Sequence, residues 1–202
     1  MNTGIYQDIA TRTGGDIYVG VVGPVRTGKS TFIKRFMETL VIPRIDNVYL
    51  KERAKDELPQ SGSGKTIMTA EPKFVPEEAV QISLGEDAGL SVRLIDCVGY
   101  MVSGATGRFE NGEERMVSTP WFDHEISMTE AAEKGTHKVI AEHSTIGLVI
   151  TTDGSVCDIP REEYVEPEAR VIRELQSIGK PFVVLLNSTA PTGEQAQTVK
   201  AF

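Results

Sequence analysis

Two glycines, a lysine and a hydroxyl come together in Gly23-Pro24-Val25-Arg26-Thr27-Gly28-Lys29-Ser30. The spacing is G-x-x-x-x-G-K-[ST], and each position has a chemical reason. Gly23 and Gly28 let the chain curl, so that the amides of Arg26, Thr27 and the residues after them point inward at phosphate oxygens. Lys29 supplies a point charge to the β- and γ-phosphates. The Ser30 hydroxyl is a ligand for Mg²⁺, and Thr31 is placed to contact an α-phosphate. A second run, Gly64-Lys65-Thr66, looks similar but has Pro59 where the first glycine belongs. No apolar strand precedes it, so it reads as a solvated loop.

A carboxylate is needed on the metal's other side. Leu94-Ile95-Asp96-Cys97-Val98-Gly99 is an apolar run ending in D-x-x-G. In phosphate-loop enzymes an acid at such a strand end holds Mg²⁺, usually through water, and the glycine brings its amide to the γ-phosphate. Between the two motifs a threonine is expected to close on Mg²⁺ and the γ-phosphate. Thr66 and Thr69 are the candidates; Thr69, just before the return to a strand, is preferred. Ala70 follows it. Tyr100 stands where many GTPases carry a water-orienting glutamine, so intrinsic turnover is expected to be slow. Arg26 lies where some relatives hold potassium through an asparagine. It reads either as a cis replacement for that charge or as a solvated or ion-paired arginine.

These groups need elements to position them. Ile17–Val22 is a β-branched run with the pattern of a buried strand. Lys29–Leu40 carries Phe32, Ile33, Phe36, Met37 and Leu40 at helical spacing, limited by Pro43. Asn47–Ser63, highly charged and then rich in Gly and Ser, reads as a mobile loop. Val80–Leu84 and Leu90–Ile95 read as strands of a hairpin turning at Gly85–Gly89. Asp96–Ser127 reads as long and irregular, the kind of loop that is functional or disordered. Met128–Ile140 and Glu163–Ile178 read as helices, Thr145–Thr151 and Phe182–Leu186 as strands, the last of them buried. Thr192–Phe202 begins like a helix. The expected fold is α/β, a mostly parallel GTPase-like sheet with one antiparallel strand and helices on both faces.

The 202 residues carry 29 acidic and 21 basic side chains, a formal charge of -8. That balance argues against non-specific binding to nucleic acid or anionic lipid. Cys97 and Cys157 form no disulfide framework and suit a reducing cytosol. No apolar run reaches the roughly 20 residues of a membrane span, and the N-terminus lacks the regions of a signal peptide. The chain therefore reads as soluble and cytoplasmic. His124, His137 and His143 lack metal-site spacing. Trp121-Phe122 reads as core packing or as a partner surface that responds to nucleotide.

GTPases read guanine with N-K-x-D after a buried strand. Here Asn187-Ser188-Thr189-Ala190 keeps the asparagine and lacks the lysine and aspartate. The acceptor that selects guanine is missing, which favours ATP. Asn187 remains either a base contact or a loop cap.

Beyond these motifs, Gly14–Gly23, Asp56–Ser61, Thr66–Thr69, Glu71–Pro76, Thr119-Pro120-Trp121-Phe122-Asp123 and Leu185–Thr189 together resemble the ATPase region of the stage IV sporulation protein A family. The resemblance covers essentially the whole chain. It implies an ATPase of GTPase ancestry, with Mg²⁺ as cofactor, whose hydrolysis drives polymerisation of a spore-coat basement layer on the forespore surface. By motif it makes Lys29 the phosphate lysine, Asp96 the metal-side acid and Thr69 the sensor threonine. It also implies self-association, a small membrane-associated anchor protein and other coat proteins as partners, reached through regions absent here. Residues 1–202 are thus expected to be an ATPase domain cut from a longer protein. Two other functions compete: a regulatory switch with incidental turnover, and a small-molecule kinase. The kinase lacks an arginine-rich lid.

Overall fold

The computed structural model describes residues 16–59, 70–83 and 89–200. Strands β1 (Asp16–Val22), β2 (Lys73–Ser83) and β3 (Gly89–Asp96) come first, followed by two short ribbons. These pair β4 (Phe109–Glu110) with β5 (Glu113–Glu114) and β6 (Met116–Val117) with β7 (Ile126–Ser127). Strands β8 (Ile146–Thr152) and β9 (Phe182–Asn187) come last. The helices are α1 (Lys29–Phe36), α2 (Val48–Asp56), α3 (Met128–Lys138), α4 (Glu162–Ser177) and α5 (Glu194–Lys200). The main sheet has five strands in the order β2-β3-β1-β8-β9. β2 runs antiparallel to β3, and the other pairs are parallel. This is the expected α/β architecture.

Alternation along β1 sorts the core into two layers. Val21 packs with Ile33, Met37 and Leu94 on the α1 side. Its neighbour Val22 packs with Ile95, Val139, Val171 and Leu175 on the α3 and α4 side. A strand buried on both faces must be apolar at successive positions, as Ile17–Val22 is. Helix α1 keeps α geometry to Phe36, then widens into a π turn over Met37–Val41 and tightens over Ile42–Arg44. Pro43 lacks the amide that would continue the helix.

Three expectations are corrected. The charged half of the loop expected over 47–63 is helix α2; 60–63 lie outside the described residues. The Asn47 side chain accepts from the amides of Tyr49 and Leu50, at 2.9 and 3.2 Å, and Arg53 pairs with Glu57 at 2.8 Å. An N-cap and i,i+4 pairing stabilise a helix with little apolar surface; Ala54 is its one buried residue. The long segment after Asp96 is not wholly irregular. Asn111 and Gly112 both have positive φ, 54° and 87°, and join β4 to β5. Asn-Gly is the strongest short hairpin signal. Finally, β9 is not a fully buried strand. β8 is its one partner among the described residues, and Val183 and Val184 are exposed. The turn expected at 85–89 falls mostly outside the described residues.

Parallel pairing brings the carboxyl ends of β1, β3, β8 and β9 to one edge of the sheet, where the loops that follow them converge. Val21 lies opposite Asp96, and Thr152 opposite Asn187.

Candidate nucleotide site

The chain leaves β1 at Val22, curls through residues 23–28 and enters α1 at Lys29. Gly28 caps the helix with φ 91° and ψ 19°, a left-handed conformation that a side chain would strain. A Cβ there would also stand 2.5 Å from Nδ2 of Asn187. That amide donates to the Thr27 carbonyl at 3.0 Å, so the last residue of β9 pins the loop. Thr27 Oγ1 and Lys29 Nζ both donate to the Pro24 carbonyl, at 3.0 and 2.6 Å. Both side chains are buried. Burial lowers the Lys29 pKa, against the pull of Cys97 and Asp96. The first turn of α1 contains no acidic residue, so its amides present their partial positive charge uncompensated. Thr31 is exposed on that same turn.

Asp96 closes the other side. Ser30 Oγ donates to its Oδ2 at 2.7 Å. Its Oδ1 is buried and has no hydrogen-bond partner among the described residues. Burial raises the Asp96 pKa, opposed by Ser30 and Lys29. A buried carboxylate oxygen with open lone pairs beside a hydroxyl is the oxygen donor set of a hard divalent cation. No group of three or more His, Cys, Asp or Glu capable of holding a metal exists among the described residues. Mg²⁺ needs only one or two carboxylates, completing its shell with a hydroxyl, water and substrate phosphates. The residues present therefore fit that ion. Thr66 and Thr69 lie outside the described residues.

Gly99 packs directly on the loop. Its φ is 95°, and a Cβ would collide with the Gly23 carbonyl and stand 2.6 Å from Lys29 Nζ. Its amide donates to Thr136 Oγ1 of α3 at 3.1 Å. Val25 in turn donates its amide to the Tyr100 carbonyl at 2.9 Å. The Tyr100 side chain goes elsewhere. Its hydroxyl donates to Glu174 at 2.6 Å, and the Arg170 guanidinium lies 4.1 Å from the ring centre. Burial and Glu174 push its pKa well above the usual phenol range. Arg26 has φ 65°, and its guanidinium donates to Thr106 Oγ1 at 3.3 Å.

At the end of β8, Asp153 is hydrogen-bonded through both oxygens. Asp153 Oδ1 accepts from Ser155 Oγ at 2.6 Å, and Oδ2 accepts from Ser188 Oγ at 2.6 Å. Thr189 donates its amide to Ser155 Oγ at 3.0 Å.

The site thus gathers Gly23, Thr27, Gly28, Lys29, Ser30, Asp96, Gly99 and Asn187 at one edge. Arg26 belongs to the loop but points toward Thr106. Thr136 and Asp153 were missed in the sequence. A threonine one turn from a helix end and an aspartate after a strand carry no spacing that marks them.

The family model for "Stage IV sporulation protein A, ATPase domain" matches residues 1–201. The chain belongs to the stage IV sporulation protein A family. It is 59% identical over 201 residues to stage IV sporulation protein A of Clostridioides difficile (strain 630), covering 100% of this chain and 41% of that protein. It is 59% identical over 187 residues to the Bacillus anthracis protein of that name, covering 93% and 38%. It is 56% identical over 196 residues to the Bacillus subtilis (strain 168) one, covering 97% and 40%. The chain spans about two fifths of the length of these relatives. No helix among the described residues is long and apolar enough to cross a membrane. The residues that the stage IV sporulation protein A model matches include the Gly23–Ser30 loop.

Proposed function

We propose that the chain binds Mg·ATP in Gly23–Thr31 and hydrolyses it to ADP and phosphate. The observation that carries this is the Ser30–Asp96 contact at 2.7 Å with Asp96 Oδ1 left open in a buried site. It joins the phosphate loop to the strand-end acid in the arrangement a metal-bound triphosphate requires. The loop amides of Arg26, Thr27, Gly28 and the first turn of α1 hold the phosphates. Lys29 bridges the β- and γ-oxygens. Ser30 and Asp96, with Thr69, hold the metal, which when bound would neutralise charge on those oxygens. Gly99 offers an amide to the γ-phosphate.

ATP is preferred over GTP because Asn187-Ser188-Thr189-Ala190 lacks the aspartate that would accept from guanine. Guanine's ring N–H and amino group would lack that acceptor. We propose further that hydrolysis drives a conformational change and polymerisation into the spore-coat basement layer at the forespore surface. The test is Mg²⁺-dependent hydrolysis of ATP and GTP side by side. ATP should be turned over at least tenfold better in kcat/KM; an equal or reversed preference overturns the base assignment.

One observation favours a second reading, a nucleotide-state switch with incidental turnover. Tyr100 replaces a water-orienting side chain and directs its hydroxyl to Glu174. Single-turnover hydrolysis measured beside partner affinity in each nucleotide state separates the two.

A further inference from the structure

The turn Gly135-Thr136 of α3 touches segments from both sides of the candidate site. Thr136 is fully buried, and its Oγ1 accepts the Gly99 amide at 3.1 Å. At Gly135 the helix backbone comes so close to its neighbours that a Cβ would stand 2.6 Å from the Ala70 carbonyl and 3.1 Å from the Trp121 ring. Gly99 in turn rests on Lys29 and Gly23. An amide has one hydrogen, so Gly99 cannot serve Thr136 and a γ-phosphate at full strength together.

We propose that Thr136 is the resting partner of the Gly99 amide and that a bound γ-phosphate takes this amide from it. Thr136 is then a positioning residue whose hydrogen bond is made in the nucleotide-free and diphosphate states and exchanged in the triphosphate state. The exchange passes the presence of the γ-phosphate to the turn of α3 that packs on Ala70 and Trp121. In a buried site the exchange keeps the amide satisfied in both states. Without Thr136 the amide is orphaned in one of them.

This rests on the ATP reading above, and the experiment separates the two. The dissociation constants of Mg·ADP and of a Mg-bound β,γ-imido ATP analogue are measured on wild type, Thr136→Val and Thr136→Ser. Valine keeps the shape and removes the acceptor; serine restores it. In Thr136→Val the nucleotide-free and diphosphate states lose a hydrogen bond, and the triphosphate state does not. The preference for the analogue over ADP should therefore rise about five- to tenfold, the weight of one buried neutral hydrogen bond. Thr136→Ser should return the preference to within about twofold of wild type. A merely structural threonine would weaken both nucleotides alike. An unchanged or lowered preference in Thr136→Val overturns the proposal.

Should the valine variant not fold, the wild-type chain decides. The Gly99 amide proton resonance must shift when the analogue replaces ADP, and an unmoved resonance overturns the exchange. A wild-type chain that binds neither nucleotide overturns the ATP reading and the exchange together. One that binds both with an unaltered preference in Thr136→Val overturns the exchange alone.

Discussion

Asp96 concentrates the chemistry of the site in one side chain. One oxygen is held by Ser30, and the other is buried without a partner among the described residues. Burial works against its negative charge, which a bound cation would favour. Asp96→Asn keeps the size and the Ser30 contact but removes that charge. Mg²⁺-dependent turnover should fall by about 100-fold, the scale of losing one preorganised electrostatic partner. ATP affinity in the same variant should change less than about tenfold, because the loop amides and Lys29 remain. Steady-state kinetics and calorimetry on the same preparation check both. At this scale much of the site was legible. The phosphate loop and D-x-x-G carry fixed spacings because backbone curvature and metal geometry demand them. Thr136, Asp153 and Glu174 were not legible. They act through folded proximity, Thr136 on Gly99 37 positions away, Asp153 on Ser188 35 away and Glu174 on Tyr100 74 away, and no local pattern announces that. Asn187 was left between base contact and cap; the structure spends its amide on Thr27.

Among the elements, α3 and α4 hold the segment after D-x-x-G. Tyr100 is buried between them, bonded to Glu174, with Arg170 over its ring and bridging to Glu133 of α3 at 2.9 Å. His137 of α3 also reaches Glu174, at 3.3 Å. This network directs the tyrosine hydroxyl into the helix pair. Tyr100→Phe should therefore cost about 1 kcal/mol of stability, lowering Tm by about 2–4 °C. Its effect on kcat should stay below about twofold, whereas a water-orienting residue would cost far more. Thermal unfolding and initial rates check this. Strands and long helices were readable because burial on two faces or on one stripe leaves a periodic apolar signature. Helix α2 was not, because its stability comes from Asn47 and ion pairs rather than an apolar face. The Asn111-Gly112 turn was readable in principle, but two-residue strands leave no alternation around it.

For the molecule as a whole, the strand order β2-β3-β1-β8-β9 puts the phosphate loop at the centre and the two other site segments, Asp96 and Asn187, on strands to either side. Sequence pattern gave the parallel sheet and its one antiparallel pair, since two apolar runs joined by a short glycine-bounded link must form a hairpin. It misjudged β9, whose unbroken apolar run reads as interior although Val183 and Val184 face outward. A fold arranged around one loop stands or falls with the grip of that loop. Titration calorimetry of Mg·ATP into wild type and Lys29→Ala tests it most directly. One saturable site per chain is expected in the wild type, with affinity in Lys29→Ala reduced beyond detection at millimolar ATP. Equal affinity in the two proteins would contradict the account.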